Sequence, residues 1–196
     1  GDRSLAANTS GGNNTALGQL ALQFNTTAHS NTAVGQLALN TNTGAAAINN
    51  TAVGKSALQG NTSGQDNTAI GFNALISNGA GIFNTAVGSN CLQANASGAN
   101  TGVGYNAMAA NNGTQNVAVG AGALQLGAPA SNATAVGYLA LTNNTAIQNT
   151  AVGSNALQLN TSGTLNTAVG YSALRANLTW SNNSAVGHKS LVVSTA

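Results

Sequence analysis

The nine-residue phrase NTAVGQLAL at Asn31 to Leu39 returns as NTAVGKSAL from Asn50, NTAVGSNCL from Asn84, NTAVGSNAL from Asn149 and NTAVGYSAL from Asn166. Aligned on its glycine, the phrase recurs at Gly18, Gly35, Gly54, Gly71, Gly88, Gly104, Gly120, Gly137, Gly153, Gly170 and Gly187, at spacings of 16 to 19 residues. GDRSL at Gly1 to Leu5 fits the second half of the phrase, which makes twelve units. A period this short and persistent predicts a solenoid whose units contact only their neighbours. A single unit cannot bury its apolar residues, whereas stacked copies bury them and close backbone hydrogen bonds along the axis.

Strand is favoured over helix inside the unit. The segment before each glycine reads Asn, Thr, Ala and then a branched aliphatic, and Gly and Asn punctuate every half-unit, leaving no room for several helical turns. The expectation is an all-β chain: one β-solenoid (β-roll) domain over residues 1–196, with about twelve coils of 16–19 residues and two short strands per coil. Each coil would rise by about 4.8 Å, the spacing between paired strands. The start at Gly1, without Met, reads as a processed terminus or as part of a longer chain.

Restrictions at each position point to crowding. Branched aliphatics such as Leu17, Val34, Ile70 and Val186 precede the glycine, and Leu22, Leu39, Leu92, Met108 and Leu191 stand four residues after it; both series are expected as core ladders. The neighbouring position holds only tiny residues, and successive strand residues point to opposite faces. Ala33, Ala86, Gly102, Ala118, Ala151 and Ala168 are therefore expected at an interface with another copy of the chain, where larger side chains would overpack. The alternative is a flat, narrow coil that turns both residues inward. Asn leads the phrase in ten of eleven full units, with Ala133 the exception. Its amide suits a repeated corner and a ladder between stacked copies.

Charged residues make up only 3% of the chain. Its four cations, Arg3, Lys55, Arg175 and Lys189, are scattered in sequence, so nucleic acid is not an expected partner. No apolar run is long enough for a spanning helix, so membrane insertion is not expected either. Cofactors and metals are not expected, since no His, Cys or carboxylate cluster has ligand spacing. Nor is an enzyme: Asp2 and Asp66 are the only carboxylates, about four coils apart, and His29, His188 and Cys91 are equally dispersed. Cys91 stands where other units carry Ala or Ser and reads as a small buried residue.

The two letters after the glycine vary most, which marks a solvent-facing stripe. Tyr105, Tyr138 and Tyr171 share the first of these positions and, with Trp180, are the candidate glycan contacts, although Ala121 and Ser154 interrupt the series. Length changes fall in outer tracts such as Asn40 to Asn49 and Gln125 to Asn132. Asn-x-Ser/Thr sequons recur, as an Asn/Thr-rich repeat would write them by accident.

The phrase NTAVGxxAL, followed by loops such as Asn61 to Gly64 and Asn160 to Gly163, resembles the repeats of phage and algal-virus tail-fibre-like proteins. It is also similar to the head repeats of YadA-like trimeric autotransporter adhesins. The resemblance implies a left-handed β-roll, assembled as a homotrimer on the outside of a virion or cell. The function expected is the shaft of such an extracellular fibre, with sides able to adhere to cell-surface glycans; a filament stacked end to end is the alternative. Ice binding ranks lower, because the regular Thr is expected to share its strand face with the buried aliphatic.

Overall fold

The computed structural model describes residues 1–126 and 130–191, so part of the outer tract Gln125 to Asn132 lies outside the described residues. The fold is an all-β parallel solenoid, and no helix occurs among the described residues. Two compact units, Gly1–Ala99 and Asn100–Ala196, are built from the same coil. The first contains β1 (Thr15–Leu17), β2 (Thr32–Val34), β3 (Thr51–Val53), β4 (Thr68–Ile70) and β5 (Thr85–Val87). The second contains β6 (Thr101–Val103), β7 (Val117–Val119), β8 (Thr134–Val136), β9 (Thr150–Val152), β10 (Thr167–Val169) and β11 (Ser184–Val186).

Within each unit, consecutive strands pair in parallel and in register, so Thr15, Thr32 and Thr51 stack, as do Ala151, Ala168 and Ala185. Each repeat carries one three-residue strand, where two were expected. The Leu half is a run of turns because alternate residues there are left-handed, for example Leu37 (φ 62°) and Leu39 (φ 48°). That alternation prevents an extended run, yet the coils still bond to each other: the Leu39 N–H donates to Ala57 O and the Thr41 N–H to Gln59 O. GDRSL makes the same turn, Ser4 N–H to Gly1 O, that Ala21 makes to Gly18, which supports its reading as a half-unit.

The corner glycine is required twice over. Gly137 has φ 134°, and a Cβ there would lie 2.6 Å from the carbonyl oxygen of Gly153 in the next coil. An L side chain would therefore be strained in its own backbone and would push the coils apart.

The strands face the opposite way from the expectation. Ala33, Ala86, Ala118, Ala151 and Ala168 are fully buried within the single chain, and Gly102 is buried at the same position. The aliphatic beside them points out: Val119 is 38% exposed, and Val53, Ile70, Val103 and Val152 are similar. The Ala series is therefore an internal ladder, too deep in the coil to touch another chain. Its smallness follows from what shares the interior, namely a second Ala series (Ala38, Ala57, Ala156), the Leu series and two columns of Asn. The Leu ladder is buried as expected from Leu22 to Leu174, while Leu191 is exposed.

Both Asn columns run inside the coil. In the first, the Asn50 N–H donates to Asn31 Oδ1 (3.0 Å) and the Asn67 N–H to Asn50 Oδ1 (3.0 Å). The Nδ2 groups of Asn50 and Asn67 reach the carbonyls of Gly64 (2.9 Å) and Gly81 (2.8 Å) one coil on. The second column stands seven residues after the glycine: Asn61 Nδ2 donates to Asn42 Oδ1 (2.9 Å) and Asn78 Nδ2 to Asn61 Oδ1 (2.8 Å). In the other unit Asn177, Asn160 and Asn144 repeat it. Burying this much amide without loss requires its groups to be bonded, and the ladder supplies most of the partners by letting each coil complete the one before; Asn111 Nδ2 and Asn183 Nδ2 are the buried exceptions among the described residues.

Candidate functional site

Since Ala faces inward, the outer surface of each strand is made by the residues on either side of it. In the first unit, Thr15, Thr32, Thr51, Thr68 and Thr85 form one outward column beside Leu17, Val34, Val53, Ile70 and Val87. In the second unit the columns run from Thr101 and Val103 to Ser184 and Val186, with Val117 in the Thr column. Thr and the aliphatic do share a face, but it is the outer one. The result is a hydroxyl column against an aliphatic column with no charged residue in either.

Tyr105, Tyr138 and Tyr171 are exposed at the position after the corner glycine, alternating with Ala121 and Ser154, so they form no continuous platform. Tyr171 instead stacks on His188 of the next coil, with ring centroids 5.3 Å apart and planes at 14°. Trp180 is half-exposed, and its loop is held through its main chain: the Trp180 carbonyl accepts from Asn166 Nδ2 (2.8 Å) and Asn177 Nδ2 (2.9 Å).

The structure gathers what the sequence scatters at one place. Arg175 and Lys189, fourteen positions apart, line one open groove of about 400 Å³ together with Asn155, Tyr171 and Ser172. Coil stacking causes this: the Leu174 N–H donates to Ser190 O (2.9 Å) and the Lys189 N–H to Tyr171 O (2.8 Å). Arg175 Nε donates to Gln158 Oε1 (2.8 Å), which lays its stem along the preceding coil.

The other reactive groups stay apart. Asp66 accepts from Asn49 Nδ2 (3.0 Å), and His29 Nδ1 accepts from the Gly12 N–H (3.1 Å). Burial pushes the Cys91 thiol up to about 12 and thereby suppresses the thiolate. Among the described residues, no group of three or more His, Cys, Asp or Glu could hold a metal ion, and no helix is long and apolar enough to cross a membrane. Sequon residues Asn25, Asn61, Asn95, Asn160 and Asn177 are buried, whereas Asn49 and Asn182 are exposed.

The fold and its outward columns define a parallel β-solenoid. Comparisons with protein-family models, curated proteins and solved structures returned no match.

Proposed function

We propose that this chain is a structural repeat of an extracellular or virion-surface fibre, that it associates laterally with copies of itself, and that it acts without catalysis. The observation that carries the reading is the outward aliphatic column, repeated strand after strand beside Thr and free of charge. Regularly placed apolar side chains that stay exposed in one chain are what a second chain of the same sequence can cover. A homotrimer satisfies this geometry with the Thr and Val columns turned toward a common axis, replacing the Ala contact expected from sequence. Sedimentation equilibrium tests it: a mass that is a multiple of 19.0 kDa is expected, and a 19.0 kDa monomer at every concentration would remove the proposal.

End-to-end stacking is the alternative reading, in which a second copy would continue the parallel pairing that β10 makes with β11. Ice binding also gains support, because the Thr column faces out. Absence of thermal hysteresis in the purified protein would rule that reading out.

A further inference from the structure

We infer that the groove between Arg175 and Lys189 is a binding site for an anionic saccharide, with the two cations taking its carboxylate and Tyr171 forming a wall for the sugar ring. This rests on the adhesive part of the fibre reading and is independent of lateral assembly.

Three observations carry the inference. The first is charge. Arg175 and Lys189 are the only Lys or Arg residues from Asn100 onward, that stretch contains no Asp or Glu, and both cations line the same groove. No carboxylate side chain of their own unit can neutralise them. The second is departure from the repeat. Where Arg175 stands, other units carry neutral residues such as Gln23, Gln59, Gln93 and Gln158; where Lys189 stands they carry neutral residues such as Leu20, Asn73, Asn155 or Ser172, with Arg3 of the GDRSL half-unit the one other cation. The coil does not require a charge at either position, so its geometry does not explain the pair. The third is the lining. Tyr171 offers a ring, Asn155 and Ser172 offer amide and hydroxyl groups, and the volume of about 400 Å³ lies within the range of small-ligand clefts. A planar guanidinium suits a carboxylate in two-point contact, and an ammonium adds a mobile second charge. An aromatic wall with polar groups beside it suits a pyranose, which has an apolar face and a hydroxyl rim.

The test uses the intact chain and a galacturonate oligomer as probe, with its methyl ester and inorganic phosphate as comparators, followed by calorimetry at low salt. Binding of the carboxylate oligomer is expected, with the methyl ester inert and phosphate a weak competitor. Arg175→Gln and Lys189→Gln should each weaken binding by about tenfold, the usual loss for one charge-assisted hydrogen bond. Tyr171→Ala should weaken it while leaving competition by phosphate unchanged. Equal binding of the ester, or unchanged affinity in both Gln variants, would overturn the inference. Phosphate competing as well as the oligomer would reduce the site to a point charge and overturn the saccharide part. Circular dichroism and sedimentation of the same samples keep the outcome separate from assembly: a monomer that binds the oligomer would sink the lateral-association reading alone.

Discussion

At the scale of single residues, backbone conformation explains a choice that hydrophobicity does not. Among the described residues, the non-glycine positions with positive φ include no Val, Ile or Thr, although the strands are full of them. Branching at Cβ is poorly tolerated in the left-handed region, so the inward apolar position four residues after the glycine is written Leu or Met and never Val. Placing Leu there costs about 1–2 kcal/mol in backbone, and burying its side chain returns about 1.5–3 kcal/mol. Leu157 (φ 48°) gives the test: Leu157→Ile should destabilise by more than about 1 kcal/mol in urea unfolding, while Leu157→Met should cost less than about 1.5 kcal/mol because Met108 already occupies an equivalent site. Asn160 Nδ2 serves Asn144 Oδ1 and Gly163 O, so Asn160→Asp loses both donors and buries a carboxylate without a cation. Burial would raise that carboxyl's folded pKa above its unfolded value, so the variant should be least stable at neutral pH and recover as pH falls. Cys91 follows the same sign. Its folded pKa is raised from 9.0 to about 12, so the stability it contributes is complete below pH 9 and is lost as pH rises toward about 12. Alkylation of Cys91 should therefore require unfolding.

At the scale of the coil, the legible and the hidden parts of the fold have different physical origins. Period, strand position and the Leu ladder follow from spacing and side-chain type, and the sequence shows them directly. Facing does not, because alternation states only that Ala and Val lie on opposite sides. Which side is inner depends on how much else fills the interior, and the second Asn column decides that. Its signal was present in the NTSG loops at Asn61 and Asn160, where an Asn recurs as regularly as the first, but a loop Asn reads as solvent-facing. The single strand per coil was equally hidden, since a left-handed Leu looks like any other Leu. The corner is testable by thermal unfolding. Gly137→Ala should lower the midpoint clearly, because its Cβ meets the Gly153 backbone, whereas Gly12→Ala meets nothing within 4 Å and should be nearly neutral.

For the whole molecule, stacking converts sequence distance into neighbourhood, so Arg175 and Lys189 look scattered in the chain and share a groove in the fold. The same stacking turns one strand face into columns that a single chain leaves exposed, which is the basis for assigning a role in assembly. That assignment depends on Ala being inside and the aliphatic outside. The measurement that tests this most directly is urea unfolding of Ala118→Leu and Val119→Asp in the intact chain. Ala118 is 0% exposed, so a Leu there should overpack the coil by about 1–3 kcal/mol. Val119 is 38% exposed, so an Asp should leave the β-rich circular dichroism intact and cost the coil less than the Leu does, acting mainly on association between chains. An unfolded Val119→Asp beside an Ala118→Leu of native stability would contradict the account.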